Sequence, residues 1–555
     1  MQEKHQTLDD FLEKHPDRQE IEASKIKRML DLDDFEESEW TFKTADTKEF
    51  THFIFHEYPA RMIPQVARKL IKMYYPRYDS PSIKKPMLDP FAGSGTTCVE
   101  AMLRNIDSIA FDLNPLAHLV EQVKATPMDP PTLKRHFKAI MQHVNENRGK
   151  KILETIPPVA QTGFWFNEAT IGSLLAIKYA INETFKGGTR HEGTILPAKN
   201  FFLACLGKTA RDCSYQRKDE NKTYRMERER MVEFDRNVDA IQCFKTIFGN
   251  FLRATEAFSG YYRTHQFTAK CTAVLGNSMV LEGVADNSID LIVTSPPYGD
   301  SQTTVAYGQF SRFPLEWILP DTSGVKNIDE HLLGGVENET EFPDAPLLLV
   351  TCKNIMVAQA KQQQILIATF LDAIGQSELT DTKQEMKDLI TFIDTHMPSI
   401  QDTTDFAGFI ATKNAYYARL GNGRACAAKG NKWLDTRALG KHGRFKIYED
   451  RLGYVISFFA DFSKVLARLY QVLDYDRKCC LVVGNRTVKN VQIPTDEIIV
   501  DLGKSMGFEH VTTFYRDIPN KRMPLSNSPS NVPGEISPTM AKESIVVLNK
   551  PGRMK

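Results

Sequence analysis

The sequence lacks the cysteine and histidine spacing that marks a metal-binding domain. Its nine cysteines form no Cys-x-x-Cys pair, and its 13 histidines form no cluster at ligand spacing. This argues against a structural zinc site and is typical of a protein that stays in the reducing cytosol. The adjacent Cys479 and Cys480 are therefore expected to be core residues of a strand.

The sequence also lacks any apolar run of membrane-spanning length, which is about 20 residues. Its N-terminus, which begins Met1-Gln2-Glu3, has no signal-peptide character. We therefore expect a cytoplasmic protein without a membrane partner. The 555 residues exceed one ordinary domain, and an apolar content of 42% is normal for globular proteins, so two or three compact units are expected.

An excess of one charge is missing as well. Lysine and arginine number 70, as do aspartate and glutamate, so the net charge is zero, which at first sight argues against a nucleic-acid partner. Local distribution matters more, and bases concentrate at 208–236 and 419–446. The first stretch is interleaved with acids, as a solvated helix face would be. The second has few acids and several glycines, which allow close approach to a phosphate backbone.

One apolar run, residues 290–298, ends in Ser295-Pro296-Pro297-Tyr298. Two prolines fix two φ angles and remove two N–H donors, so the carbonyls around them are held rigidly. The Ser295 hydroxyl and the Pro296 carbonyl are acceptors, and Tyr298 offers a flat ring. Together they suit a planar molecule that carries an NH₂ group. Taken alone, the tetrapeptide is equally typical of an ordinary strand end.

A second motif, residues 87–103, has the pattern of a strand, a glycine turn and a helix. Gly93 and Gly95 permit close ligand approach, and the N–H groups of the following helix point toward the bound molecule. A further short strand ends in Asp112, 17 residues after Gly95. In doubly wound sheets an acid at this place accepts hydrogen bonds from ribose hydroxyls, although Asp112 can also simply cap the next helix.

With these two motifs the chain resembles the DNA amino-methyltransferases, which move a methyl group from S-adenosylmethionine to an exocyclic amine of cytosine or adenine. The Ser-Pro-Pro-Tyr form is associated with the N4-cytosine enzymes, whereas adenine enzymes more often carry Asp or Asn where Ser295 stands. Segment 51–65 resembles the family's segment around the methionine end of the cofactor. The family commonly has an acid where Asn277 stands, but an amide oxygen also accepts hydrogen bonds.

The resemblance implies a role for each residue that matches the family motifs. It implies catalytic roles for Ser295, Pro296, Pro297 and Tyr298. It implies cofactor contacts for Asp89, Phe91, Gly93, Gly95, Thr96, Asp112, Asn277, His56 and Tyr58. No metal is implied.

The resemblance also implies an α/β fold, with a Rossmann-like class I methyltransferase sheet and two large, mainly helical insertions. The expected division is an N-terminal helical arm (1–48), the cofactor-binding part of the catalytic domain (49–126), a helical insertion that is the candidate target-recognition region (127–270), the catalytic motif (271–319), a second insertion that is a candidate DNA contact (320–448) and the C-terminal part of the catalytic domain (449–555).

Local patterns predict several elements within this division. Strands are expected within 84–113 and at 288–294, and apolar residues have helical spacing at 164–166, 171–181 and 200–206. Near the C-terminus we predict a strand at 480–485, a helix at 495–506 ended by Gly507, and an antiparallel pair at 510–515 and 544–548. The loop 519–538 either contacts DNA through Lys521 and Arg522 or is a plain connector.

The implied activity is methylation of the cytosine N4 amine in double-stranded DNA, by base flipping and direct displacement, with S-adenosylmethionine as the cofactor. Such enzymes often belong to restriction-modification systems, so a cognate restriction endonuclease is a candidate partner. Adenine-N6 methylation is the near alternative. Methylation of a protein glutamine amide is a rival, since related enzymes use Asn-Pro-Pro-Tyr on a planar amide, and a DNA-binding protein without catalysis is a third reading.

Overall fold

The computed structural model describes the chain in segments. These are residues 40–42, 50–54, 58–76, 84–147, 156–161, 163–186, 192–218, 223–299, 305–334, 444–488, 491–518, 540 and 542–553. Most of the arm at 1–48 and of the second insertion at 320–448 therefore lies outside the described residues, as does the loop at 519–538.

A seven-stranded sheet forms the centre of the molecule, in the order β3-β2-β1-β4-β5-β9-β8. Its strands are β1 (Met87–Asp89), β2 (Ser108–Asp112), β3 (Cys271–Leu275), β4 (Ile289–Thr294), β5 (Leu473–Val483), β8 (Glu509–Asp517) and β9 (Lys542–Lys550). The five strands from β3 to β5 are parallel, whereas β9 pairs antiparallel with both β5 and β8. A separate two-stranded ladder joins β6 (Thr487–Val488) to β7 (Val491–Gln492). The mainly parallel sheet, connected by helices, confirms the prediction of a Rossmann-like α/β fold.

Helices connect and cover these strands. They are α1 (Pro64–Tyr74), α2 (Thr96–Met102), α3 (Pro115–Lys124), α4 (Pro130–Glu146), α5 (Glu168–Thr184), α6 (Glu192–Asp212), α7 (Arg228–Asn237), α8 (Ala240–Thr264), α9 (Tyr307–Ile318), α10 (Ile328–His331), α11 (Arg444–Val472) and α12 (Thr495–Ser505). Four of them begin at a side-chain cap: Asn114, Asp129, Asn167 and Asp239 each accept a hydrogen bond from a backbone N–H of the first turn. No described helix combines the length and the apolar character needed to cross a membrane.

Both faces of the sheet are covered, and the inner parts of its central strands are therefore mainly apolar. Every residue of β4 is buried. Ile292 packs in a cluster with Phe462 of α11 on one face, while Leu291 packs in a cluster with Val66 of α1 on the other. Cys479 and Cys480 of β5 belong to these two opposite clusters and are fully buried, which confirms their prediction as strand core residues.

The segment between β2 and β3 is mainly helical in its described part, as predicted. The insertion helices α5, α6 and α8 share one apolar cluster with α3 and α9. This cluster includes Ile177, Phe201 and Phe248 of the insertion together with Leu119 of α3 and Trp317 of α9. The helical prediction at 164–166 is wrong, because these residues form a bend before Asn167, the N-cap of α5. The rings of Trp165 and Phe166 pack on α9, with Trp165 centred 5.0 Å from Phe313 and Phe166 centred 5.7 Å from Trp317.

Candidate active site

The two sequence motifs meet where the strand order reverses. The chain runs from β1 outward through β2 to β3, and then returns to β4 on the other side of β1. In open α/β sheets, ligands bind outside the carboxyl ends of the strands at this point. Asp89 ends β1 and Thr294 ends β4, and the Thr294 hydroxyl donates a 2.7 Å hydrogen bond to the Asp89 carboxylate across a sequence separation of 205 residues.

A cleft opens at this strand end. Its described lining consists of Tyr58, Pro59, Ala60, Arg61, Met62, Asp89, Phe91, Ala92, Gly93, Ser94, Thr96, Thr97, Asp112, Leu113, Asn114, Asn277, Ser278, Ser295, Pro297, Tyr307, Leu332 and Leu333. Nine of the predicted site residues belong to this lining. Gly95, Pro296 and Tyr298 do not, and His56 lies outside the described residues.

The glycine turn leads from β1 into α2. Gly93 and Gly95 have φ angles of +51° and +74°, in the left-handed region that favours glycine. A Cβ on Gly95 would lie 2.9 Å from Cγ of Glu121 in α3, and one on Gly93 would lie 3.4 Å from Cε1 of Tyr58. Gly95 therefore allows the turn to approach α3 closely, while Gly93 is the glycine that faces the cleft.

Two carboxyl groups, Asp89 and Asp112, lie at the strand ends in the cleft. Asp112 accepts hydrogen bonds from the backbone N–H of Gly93 at 2.9 Å and of Asn114 at 2.8 Å. It therefore fastens the glycine turn to the end of β2, whereas Asn114 is the residue that caps α3. Burial raises the pKa of both Asp89 and Asp112 to about 6, above the usual value for aspartate.

The other predicted cofactor residues lie around this turn. Asn277 follows β3, and its side-chain oxygen accepts a hydrogen bond from the N–H of Met279 at 2.9 Å. Phe91 stacks on Phe462 of α11 with ring centroids 6.4 Å apart, and Tyr58 is buried beside Gly93. The lining thus offers apolar rings and hydrogen-bond acceptors at one place.

The catalytic motif begins at the carboxyl end of β4. The Ser295 hydroxyl donates a 3.1 Å hydrogen bond to the carbonyl of Val482 on the neighbouring strand β5. Pro296 is buried, and Tyr298 is half-buried with its hydroxyl donating to Glu543 of β9 at 2.8 Å. Burial and the Glu543 carboxylate raise the pKa of the Tyr298 phenol well above its usual value, so it stays protonated.

The sequence patterns missed a buried group beneath the glycine turn. The Cys98 and Cys271 thiols lie 3.8 and 3.6 Å from Oε1 of Glu121, and the three side chains meet within 4.8 Å of one another. Burial raises the pKa of Glu121 well above its usual value. Cys98 and Cys271 lie 23 and 150 residues from Glu121 in sequence, so no local spacing signals this group.

Arg61 was also missed as a site residue, although it lies in the segment quoted for the resemblance. It is the one cationic side chain among the described residues that line the cleft, where the other charged groups are Asp89 and Asp112. Arg61 also donates a 3.3 Å hydrogen bond to the carbonyl of His52. No periodicity or motif spacing distinguishes this arginine from others in the sequence.

Comparison with known proteins agrees with this geometry. A family model described as DNA methylase matches residues 2–122. The Type II methyltransferase M.MvaI of Kocuria varians is 31% identical over 516 residues, which cover 91% of this chain and 92% of that protein. The Type II methyltransferase M.MjaII of Methanocaldococcus jannaschii is 31% identical over 136 residues, 24% of this chain and 23% of that protein. No solved structure matches. The chain therefore belongs to the DNA amino-methyltransferase family.

Proposed function

We propose that the protein methylates the N4 amine of cytosine at a specific site in duplex DNA, with S-adenosylmethionine as the methyl donor, as part of a restriction-modification system. The hydrogen bond between Thr294 and Asp89 carries the proposal. It joins the strand end that bears the rigid acceptors to the strand end that bears the glycine turn, so an amine and a methyl donor can meet in one cleft.

The lining of the cleft fits S-adenosylmethionine. Asp89 and Asp112 are acceptors for hydroxyl or amino groups, Phe91 and Leu113 supply apolar surface for a ring, and Arg61 matches a carboxylate in charge. When bound, the cofactor supplies a methyl group that a sulfonium charge already activates. The protein must then chiefly hold the acceptor nitrogen in line with that methyl group.

Ser295 supports an amine as the acceptor. Because its hydroxyl proton goes to the carbonyl of Val482, the lone pairs of its oxygen remain available to accept from an NH₂ group. The Pro296 carbonyl is a second rigid acceptor. Hydrogen bonds from both amine protons draw the nitrogen lone pair out of the ring, which makes the nitrogen nucleophilic. Carbon is not attacked, so no cysteine nucleophile is required.

The target base must leave the duplex to reach this cleft, since its amine is inaccessible inside the helix. Tyr298 follows the two acceptors directly and is the aromatic side chain that we assign to stacking on the flipped base. The preference for cytosine over adenine comes from Ser295, through its resemblance to the N4-cytosine enzymes.

The first insertion supplies a DNA-contact surface beside the cleft. We name the described residues 215–218 and 223–226 the recognition hairpin, whose arms are joined by a bridge between Gln216 and Arg225. The Thr223 hydroxyl donates to the carbonyl of Gln309 at 3.3 Å, which attaches the hairpin to α9 next to the catalytic motif. Tyr224 is 44% exposed, and the guanidinium of Arg225 lies 4.1 Å from the ring of Phe164. The exposed ring of Tyr224 and the partly exposed side chain of Arg225 suit nucleic acid.

Nucleoside analysis tests the proposed reaction. Duplex DNA of diverse sequence is incubated with the purified full chain and S-adenosylmethionine, digested, and analysed by mass spectrometry, with the Ser295→Ala variant as the matched control. We expect N4-methylcytosine from the wild type and little from the variant. N6-methyladenine would transfer the assignment to the adenine alternative. Neither product, at saturating cofactor, would overturn the proposal.

A further inference from the structure

A chain of polar contacts leads from the catalytic motif to the far edge of the sheet. The Tyr298 hydroxyl donates to Oε1 of Glu543 at 2.8 Å. The other carboxylate oxygen of Glu543 pairs with a guanidinium nitrogen of Arg516 on β8. Arg516 in turn donates from Nε to the carbonyl of Trp40 at 3.1 Å. Both oxygens of the Glu543 carboxylate are therefore engaged, one of them by the motif tyrosine.

The two strands hold the carboxylate in a fixed position. Arg516 and Glu543 stand opposite each other in the antiparallel register of β8 and β9. Cross-strand neighbours of opposite charge stabilise a sheet, and their separation is set by the backbone ladder. The side chains of Arg516 and Glu543 are only 5% and 15% exposed, so their charge-assisted hydrogen bonds are little weakened by water.

The ring of Tyr298 is also confined at its edge. A Cβ on Gly484, just after β5, would lie 2.9 Å from Cδ2 of Tyr298. The same Cβ would overlap the sulfur of Met540, so the missing side chain of Gly484 makes space for both Met540 and the edge of the Tyr298 ring. Contact with Gly484 limits the position of the ring, whereas the hydrogen bond to Glu543 fixes the direction of its hydroxyl.

We propose that Glu543 is a positioning residue for the methyl transfer: it holds the Tyr298 ring in the orientation that receives the flipped base, and Arg516 holds Glu543. The inference rests on the proposed function, because it gives Tyr298 the stacking role. Glu543 acts through the Tyr298 hydroxyl and touches neither the base nor the cofactor. The ion pair between Arg516 of β8 and Glu543 of β9 thus holds a side chain of the catalytic motif in position and also stabilises the sheet.

A double-mutant cycle tests this inference. Tyr298→Phe, Glu543→Ala and the double variant are compared with the wild type for kcat and for the KM of duplex DNA. Each single variant should lose about tenfold in kcat, the effect of one hydrogen bond to a charged group. The double variant should be no slower than Tyr298→Phe, because both changes remove the same contact. Losses that multiply would overturn the inference.

A fluorescence measurement separates positioning from mere stability. The target base, once located by mapping methylated sites, is replaced by 2-aminopurine, whose emission reports unstacking from the duplex. Glu543→Ala and Tyr298→Phe should change the emission of the bound complex to the same degree, while the affinity for S-adenosylmethionine stays within about twofold of wild type. Unchanged emission in both variants would overturn the inference.

Three further variants keep the test decisive. Glu543→Gln retains an acceptor for the hydroxyl and should keep most of the turnover. If Glu543→Ala does not fold, the cycle is run with Glu543→Leu, which also lacks an acceptor, and losses that multiply in the Tyr298→Phe background contradict the inference. Glu509→Ala is the matched control, because Glu509 bonds Asn549 between the same two strands at 2.9 Å. It should leave turnover unchanged. A wild type that methylates no base overturns this inference together with the proposed function.

Discussion

Ser295 is a residue whose proposed role depends on one oxygen atom. Ser295→Ala removes an acceptor for the amine but leaves the glycine turn intact, so turnover should fall roughly tenfold to a hundredfold, as for a hydrogen bond to a developing charge. Cofactor affinity, measured by calorimetry, should stay near wild type. Ser288→Ala, at a partly buried serine whose hydroxyl donates to the Ala285 carbonyl, serves as the control. An equal loss of cofactor affinity in Ser295→Ala would contradict the assignment.

The proposed contact of Asp112 with the cofactor predicts that cofactor binding depends on pH. Its pKa of about 6 is raised by burial, so the carboxylate that can accept two ligand hydrogen bonds is present above pH 6 and lost as pH falls below it. The affinity for S-adenosylmethionine, measured by calorimetry, should therefore be flat from pH 8 to 7 and fall between pH 6 and 5. Asp112→Asn should bind more weakly at pH 8 and show a smaller change on acidification.

The stability of the fold should respond to pH in the direction opposite to cofactor affinity. This difference separates the two effects of Asp112. Because its pKa in the folded protein lies above the usual value for aspartate, the folded protein holds the proton more tightly than the unfolded chain. The contribution of Asp112 to stability is thus complete at low pH and is lost as pH rises through about 6. At pH 5 the affinity for the cofactor should therefore fall while the contribution of Asp112 to folding stability is retained. A loss of both at pH 5 would contradict the explanation.

At the scale of elements, α1 is joined to α2 by a buried ion pair. Arg68 donates two 2.9 Å hydrogen bonds to Glu100, and His52 contacts the same carboxylate at 3.0 Å. Burial alone would raise the pKa of Glu100, but Arg68 and His52 hold it well below the usual range. Burial lowers the pKa of His52 to about 4, so this histidine is neutral at physiological pH. The network fixes α2, the helix that begins at the glycine turn.

Glu100→Gln should destabilise the protein by about 3–5 kcal/mol, because it leaves the buried charge of Arg68 without its counter-ion. Urea unfolding monitored by circular dichroism measures this loss. Glu146→Gln, at the exposed end of α4, is the control and should change the free energy of unfolding by less than about 0.5 kcal/mol. A loss below about 1 kcal/mol for Glu100→Gln would show that the pair does not hold α1 to α2.

Elements with a regular pattern could be predicted from the sequence. The apolar run before Ser295 becomes β4, and the strands predicted at 510–515 and 544–548 fall within β8 and β9. The helix at 495–506 is α12, which ends before Gly507 with a φ of +99°. The strand predicted at 480–485 begins earlier, at Leu473, because α11 ends at Val472 and the chain becomes extended at once. Polar residues between 473 and 478 concealed this start.

Contacts between distant elements could not be predicted in the same way. Thr294 and Asp89 both lie in predicted motifs, but their hydrogen bond depends on the neighbouring positions of β1 and β4 in the sheet. Glu543 and Tyr298 are 245 residues apart, and nothing near Glu543 in the sequence indicates a partner. The apolar pattern of one helix or strand indicates which of its own faces is buried. It carries no information on which polar side chain stands opposite after folding.

At the scale of the molecule, the first basic stretch (208–236) has some side chains in the core and others at the surface. Lys208 and Arg211 are buried in α6, and the guanidinium of Arg211 lies 3.8 Å from the ring of Phe310 on α9. The stretch is therefore not simply a solvated face. Its exposed part includes Lys218 and Tyr224 of the recognition hairpin, while α7 has no buried residue at all. The second basic stretch remains a proposal for DNA contact, since its side chains lie outside the described residues.

Arg225→Ala should weaken duplex DNA binding about tenfold and lower the slope of log affinity against log salt by about one, if its guanidinium contacts a phosphate. Fluorescence anisotropy of labelled DNA at several salt concentrations measures both quantities. Arg253→Ala, at an exposed arginine of α8 that bonds Asn250, is the control. Equal effects of the two variants would show general charge attraction and no special role for the recognition hairpin. Cofactor affinity should stay unchanged in both.

With the first insertion in its proposed role of target recognition, the apolar cluster that it shares with α9 limits how DNA specificity could be exchanged between relatives. Gly207 of α6 faces Pro314 of α9, where a Cβ would come within 3.1 Å of the proline ring. Phe313 and Trp317 of α9 pack on the aromatic residues that precede α5. A chimera that grafts only residues 127–270 would place a foreign surface against this helix and create cavities and clashes. A functional graft must therefore transplant α9 together with the insertion, although the two are far apart in the gene.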